Sequence, residues 1–334
     1  MSDVVSLAAE LVALESPTGS EGPAVDFAAR WLVSRGWNVN IQEVTPGRGN
    51  VWATRPGGTG GVTLSTHLDT VPPFVRPTLQ GDRLYGRGAC DAKGIAAAMM
   101  IAANRLAEAG ESRVQILLVV GEEKGSDGAR AANLLPATSR YLINGEPTES
   151  KLATGAKGSL RVTLRTRGVA AHSAYPHLGA SAIEPMLALL PTVRDRPLPE
   201  DPLLGATTVN IGTIRGGTEA NVIPDSAASE LMFRLVGDVD DVKKLLEQWV
   251  AGRAEIEYGS YIPAQRFHTI PGFESAAVAF TTDIPLLERW GTPLLFGPGS
   301  IHVAHRPDEH ISVRELRASV DAYQRLVRAL LEDA

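Results

Sequence analysis

Three apolar runs of this chain each lead into an acid, and one presents an imidazole beside it. The run VTLSTHLD places His67 and Asp69 two residues apart. In an extended strand residues i and i+2 point the same way, so the pair would share a face at a strand's carboxyl end. LLVVGEEKGSDG puts Glu122 and Glu123 just after an apolar strand, YLINGEPTE puts Glu146 after another strand, and LYGRGACDAKG holds Asp91 in a glycine-rich turn. A carboxylate at a mostly buried strand end is costly without a compensating cation. Only Lys93, Lys124 and Arg87 lie close in sequence, and adjacent Glu122 and Glu123 would repel each other in a purely structural role. Acids converging with histidines favour a metal site over an ion-pair cluster. FGPGSIHVAHRPDEHI adds His302, His305 and His310, a dense group in a chain with 7 histidines. Oxygen and imidazole donors without a thiolate suit zinc, cobalt or manganese in an open, hydrolytic site. Adjacent residues of an extended chain face opposite ways, so one of Glu122 and Glu123 is free for proton transfer; spacing does not say which.

The elements that must position these residues alternate. Apolar periodicity predicts a helix near residues 3 to 15 and a second one, capped by Ser20, that ends before Gly36. WNVNIQEV, VTLSTHL, VQILLVV and YLINGE read as strands, separated by helical GIAAAMMIAANRLAEAG and SDGARAANLL, which is the rhythm of an α/β sheet with covering helices. From Lys157 the order becomes strand, helix, two strands, helix, strand, a self-contained α+β unit. After about residue 264 an apolar strand, PLLFGPG, returns, and a closing helix from Ser312 carries Leu316, Val320, Tyr323, Val327 and Leu330 at helical spacing. The expected organisation is a catalytic domain over 1–156 and 264–334, interrupted by an inserted domain over 157–263.

Composition narrows the function. The 334 residues are enough for two domains, and 44% hydrophobic content describes an ordinary globular protein. A net charge of −6 without any basic run argues against nucleic acid as a partner. The N-terminus lacks a basic stretch followed by an apolar core, and no apolar run reaches the length of a membrane span. With a single cysteine, Cys90, a reducing cytoplasm is the expected compartment. Gly86, Gly88 and Gly94 invite a dinucleotide reading, but Asp91 follows where a third glycine is required, so NAD is discounted.

The ordered blocks STHLDTVPP, LYGRGACDAKG, GEEKGSDGA, NGEPTE, GVAAHSAYPHLGASAI, GGTEANVIPD and FGPGSIHVAHRPDE resemble the M20 family of dinuclear zinc peptidases and amidohydrolases. That family includes acetylornithine deacetylases, succinyl-diaminopimelate desuccinylases, aminoacylases and carboxypeptidase G2-like enzymes. The resemblance implies a zinc-exopeptidase-like catalytic domain with a central mixed sheet, interrupted by a ferredoxin-like lid and dimerisation domain, and a homodimer. It implies two divalent ions, zinc first with cobalt or manganese as alternatives: His67 and Glu146 on one, Glu123 and His305 on the other, and Asp91 bridging both. Glu122 becomes the general base for a bridging hydroxide, Asp69 the acid that orients His67, and His172 an oxyanion donor that reaches across from the partner subunit. Asn221 and Arg234 would contact the substrate, with Gly297 and Gly299 offering backbone donors. The peptide from Asp91 to Ala92 is expected to be cis. The implied reaction is hydrolysis of the amide of an N-acyl amino acid, of the acetylornithine or acetyl-lysine kind. A di- or carboxypeptidase with the same metals is the alternative, and a catalytically silent metal-binding relative is the reading from another class.

Overall fold

The computed structural model describes residues 3–58 and 60–332. Two compact units emerge: one from the described parts of 1–154, 267–276 and 282–334, the other from Gly155–Arg266 with Ala277–Thr281.

The first unit is built on a six-stranded mixed sheet, in the order Asn38–Thr45, Arg48–Thr54, Val114–Val119, Val62–His67, Tyr141–Asn144, Thr292–Leu295. The last four run parallel; the first two form an antiparallel hairpin that joins Val114–Val119. Val62–His67 and Val114–Val119 are buried at every position, as parallel strands covered on both faces are. Arg48–Thr54 was not recognisable as a strand, since Arg48, Gly49 and Asn50 interrupt its pattern.

Helix Lys93–Glu108 packs on this sheet and against helices Val4–Val12 and Val313–Glu332. Its alanines, buried from Ala96 to Ala103, allow close approach on several sides at once. The closing helix buries the predicted stripe of Leu316, Val320, Tyr323, Val327 and Leu330, and the Tyr323 hydroxyl is satisfied by the Phe296 carbonyl at 2.9 Å. One local expectation fails. Ser20 does not cap helix Gly22–Val33; Glu21 occupies the cap position without a side-chain cap bond. The Glu21 carboxylate is held elsewhere, by Arg48 at 2.7 and 2.8 Å and by the Gly19 N–H at 3.0 Å.

The second unit follows the order strand, helix, strand, strand, helix, strand. Its antiparallel sheet runs Thr208–Gly216, Ser226–Leu235, Gly158–Arg167, Glu255–Ile262. Strict alternation buries Leu160, Val162 and Leu164 on one strand and Leu231, Phe233 and Leu235 on its neighbour. These cluster with Met186 and Leu189 of helix Ile183–Leu189 and with Val242, Leu246 and Trp249 of helix Val239–Val250. The latter starts at Asp238, whose carboxylate accepts the Asp240 N–H at 2.8 Å, a cap of the preferred kind. Among the described residues no helix is long and apolar enough to cross a membrane.

Candidate metal centre

Four parallel strands of the first unit end on the same side of the sheet, and the chemistry-bearing residues lie at or just beyond those ends, where open α/β sheets place their ligands. His67 is the last residue of its strand, and Asp69 follows two positions later. Glu122 and Glu123 sit in the turn after Val114–Val119, and Glu146 two residues past Tyr141–Asn144. Asp91 precedes helix Lys93–Glu108, and His305 lies in the segment after Thr292–Leu295. Two glycines make the turns possible. Gly121 has φ +78°, which frees the chain to swing Glu122 off the strand. At Gly145 an added Cβ would come within 2.5 Å of Ile95 and 2.6 Å of Met99, so only glycine lets Glu146 pass the helix this closely. The peptide from Asp91 to Ala92 is cis, as expected, and so is Pro72–Pro73.

The geometry centres on Asp91. Its Oδ1 faces His67 Nε2 at 3.0 Å and its Oδ2 faces His305 Nε2 at 3.4 Å. His305 Nε2 is also 3.0 Å from Glu123 Oε1, and ligand atoms of His67, Asp91 and Glu123 all lie within 4.8 Å of one another. The His67 Nδ1 sits 3.0 Å from the Asp69 carbonyl and 3.4 Å from its carboxylate, which turns Nε2 toward Asp91. Asp69 does more than orient that ring. Its two oxygens accept the N–H groups of Glu122 at 3.0 Å and Glu123 at 3.1 Å and the Thr18 hydroxyl at 2.7 Å, so the turn that carries both glutamates hangs on one buried carboxylate.

Charge crowding shows in the titration behaviour. Burial alone would lower the His67 pKa, but Asp69 and Asp91, with Glu146 and Glu122 beyond, hold it well above the usual 6.5. His305 is pushed up to about 10 by Asp91 and Glu123. Burial pushes the Asp91 carboxyl up, yet His305 and His67 hold it below the usual carboxylate range. Glu122 and Glu146 move the other way. Burial raises both well above 4.5, and each carboxylate raises the other or is raised by further acids nearby.

Sequence reasoning missed Asp283. This residue is 1% exposed, and burial together with neighbouring Asp69 raises it to about 6, a shift tempered by Ser126, His67 and Arg130. The Ser126 hydroxyl faces it, yet neither carboxylate oxygen closes a hydrogen bond at ordinary distance among the described residues. TTDI carries no pattern that would have pointed to it. Asp283 alters the charge count: three ligand carboxylates against two divalent ions leave a net positive centre, but Asp69, Glu122 and Asp283 reverse that balance when ionised.

In the second unit, the His172 segment bridges to Val222, and the Ser173 N–H donates to the Asn221 carbonyl at 2.9 Å, so two expected site residues become neighbours. His172 Nδ1 accepts the Ala174 N–H at 3.1 Å, which places the ring proton on Nε2 as a donor. Arg234 is half-buried, and among the described residues its guanidinium hydrogen-bonds to the Thr281 hydroxyl alone, at 3.4 Å, with no acid paired to it. The two glycines require a correction. The Gly297 N–H donates to Thr148 Oγ1 at 3.0 Å and the Gly299 N–H to Glu315 Oε1 at 2.8 Å, so both amides are committed inside the fold and neither is a free donor for a substrate. His302 and His310 stay apart from the cluster; the His310 Nδ1 binds the Asp308 carbonyl at 2.7 Å and its ring lies against Tyr85.

The spacing of His67, Asp91, Glu123 and His305 fits divalent cations, while Glu146 stands outside the close group of His67, Asp91 and Glu123. Two ligands bound at about 2.0–2.1 Å to one tetrahedral ion stand roughly 3.3 Å apart, and the spacings around Asp91 run from 3.0 to 3.4 Å. Cations would also relieve the repulsion that raises Glu122 and Glu146.

Comparison with known proteins agrees with this chemistry. Residues 154–256 match the peptidase dimerisation domain, and residues 50–146 match peptidase family M28. A peptidase M20 domain-containing protein of Schizosaccharomyces pombe is 38% identical over 97% of this chain and 84% of its own length. A probable carboxypeptidase of Aspergillus flavus is 36% identical over 99% and 88%. Among solved structures, a tripeptidase from Staphylococcus aureus superposes with a TM-score of 0.81 at 20% identity, covering 99% of this chain and 98% of that one. A dinuclear metal-binding M20 peptidase from Bacillus subtilis gives 0.74 at 15%, covering 98% of each. The chain therefore belongs to the M20 family, hydrolases that cleave peptide or amide bonds with the help of divalent metal ions.

Proposed function

We propose that the protein is a dinuclear metallo-exopeptidase that releases an amino acid from short peptides bearing a free carboxyl terminus. The observation that carries the metal centre is Asp91, whose two oxygens each face a different imidazole, the arrangement a bridging carboxylate needs. His67 and Glu146 would hold one ion and Glu123 and His305 the other, with zinc first among the candidates and the two metals of the Bacillus subtilis neighbour as support. Deacylation of N-acyl amino acids was the first expectation from sequence. The relatives at 36–38% identity are named as peptidases and probable carboxypeptidases, which favours peptides.

Bound ions supply Lewis acidity toward the scissile carbonyl and acidify a water. The protein's own groups do the rest. Glu122 keeps part of its surface open to solvent and accepts a proton on its carboxylate, then returns it to the departing amine. Asp69 holds the Glu122 and Glu123 amides and so fixes the base relative to the ligand turn. The Nε2–H of His172 is the oxyanion donor. Arg234, a half-buried guanidinium lacking an acid partner among the described residues, receives the substrate carboxylate through its fork. The inserted domain, 157–263 on the sequence reading, serves as lid and homodimer contact, supported by the dimerisation-domain match. The cytoplasm is the proposed place of action, supported by the one free, buried thiol.

The test is a hydrolysis panel run with added zinc or cobalt: dipeptides and tripeptides, the same peptides amidated at the carboxyl terminus, and acetyl- and succinyl-amino acids. Free peptides should be cleaved best, amidated ones at least tenfold less well, and Arg234→Ala should raise KM for the free peptides. Faster turnover of acyl-amino acids than of any peptide would refute the exopeptidase reading and restore the deacylase.

A further inference from the structure

A buried ion pair grips both the turn that carries Asp91 and the segment that carries His305. Glu309 is 1% exposed and Arg87 2%. One carboxylate oxygen of Glu309, Oε1, accepts the N–H groups of Gly88 at 2.9 Å, Cys90 at 3.1 Å and Asp91 at 3.1 Å. The other oxygen takes Arg87 Nη1 at 2.5 Å, and the Gly86 N–H donates to the Glu309 carbonyl at 3.0 Å. The turn is thus folded around a single side chain. Arg87 reaches in the opposite direction. Its Nε donates to the Pro73 carbonyl at 3.2 Å, its Nη1 to Arg306 at 3.3 Å and its Nη2 to His305 at 3.4 Å. His305 has φ +63°, a left-handed conformation that is uncommon outside glycine and that histidine takes more readily than most residues.

Stability is a weak reason for such a pair, because apolar side chains of similar volume usually fill a core as well as a buried ion pair does. Position is a better one, since each end of the pair bonds the backbone of a different ligand-bearing segment. We infer that Glu309 and Arg87 are positioning residues, setting the Asp91 carboxylate and the His305 imidazole in register for metal binding. The inference rests on the metal-centre reading above.

Two variants separate the charge from the geometry. Glu309→Gln keeps an oxygen for the three amides and removes the charge; Arg87→Lys keeps the charge against Glu309 and removes the fork that spans Pro73, His305 and Arg306. Metal-free full-length protein is titrated calorimetrically with Co2+, and the visible spectrum of the loaded protein, which reports ligand geometry, is recorded. The expected result is wild-type circular dichroism, a ten- to hundredfold loss of affinity for at least one equivalent of cobalt, and an altered spectrum. Arg87→Lys should weaken one equivalent more than the other, because His305 serves a single ion. Wild-type affinity for both equivalents together with a wild-type spectrum overturns the inference, and if Glu309→Gln does not fold, Arg87→Lys decides by the same criteria. A wild-type protein that takes up no cobalt refutes the metal-centre reading and this inference with it, whereas wild-type uptake matched by both variants refutes the positioning role alone.

Discussion

Metal loading should be coupled to proton release, and the structure sets a lower bound on it. In the metal-free centre His305 is pushed up to about 10 by Asp91 and Glu123. Burial lowers His67, but Asp69 and Asp91 hold it well above 6.5. Each ring must lose its proton before Nε2 can donate to a cation. Glu146 is raised by burial and by Asp91 and Glu123, against the lowering effect of His67. Filling both sites near neutral pH therefore releases at least about one proton, the one His305 carries, and the product of the two binding constants climbs by at least about one decade per pH unit. The metal-free fold has the opposite dependence. A histidine whose folded pKa is raised stabilises the fold fully below its unfolded value of 6.5 and loses that contribution as pH rises toward about 10, the His305 value. The gap in melting temperature between loaded and metal-free protein should therefore widen from pH 6.5 upward. Calorimetric titration with zinc in two buffers of different ionisation enthalpy counts the protons directly, and chelator competition across the same range gives the slope. Release of fewer than one proton, or an affinity flat with pH, would refute the placement of two imidazoles among these acids.

Glu122→Gln should lower kcat by about 10²- to 10⁴-fold while KM and metal stoichiometry hold, measured by steady-state kinetics beside metal analysis; turnover equal to wild type would exclude Glu122 as the base. Asp283 has a folded pKa raised from 3.8 to about 6, so its charge opposes the fold above that range and the penalty disappears as pH falls through it. Metal-free Asp283→Asn should exceed wild type in stability by on the order of 3 kcal/mol at pH 8 and match it near pH 4, as read by urea unfolding; a difference independent of pH would count against an unpartnered carboxylate.

What could be read from the chain was whatever local pattern determines. Strand ends announced themselves because the largely apolar stretches of Val114–Val119 and Tyr141–Asn144 give way to Gly121 and Gly145, each followed at once by a glutamate, and the closing helix because its buried stripe repeats at helical spacing. His67 and Asp69 do meet, Nδ1 to carboxylate oxygen at 3.4 Å, although the strand stops at His67 and Asp69 lies beyond it. The proposed division of ligands between two ions rests on the ordered blocks together, not on any single one. Long-range hydrogen bonding was not legible. Glu309 meets Arg87 across 222 positions, and no spacing rule links them. Ser20 looked like a cap because its side chain is of the right type, but Arg48 commands the neighbouring Glu21 from 27 positions away. The Gly297 and Gly299 amides looked free for the same reason: their acceptors, Thr148 and Glu315, are 149 and 16 positions distant.

The left-handed backbone at His305 constrains which donors can ever replace its imidazole. Of residues with a side chain, histidine, asparagine and aspartate adopt that conformation most readily, while bulkier or branched ones are strained there. A lineage that exchanged this ligand would find aspartate within reach. Such drift would carry the centre toward hard, oxygen-rich coordination and ions such as manganese, while a thiolate site suited to softer metals would first demand a rebuilt loop.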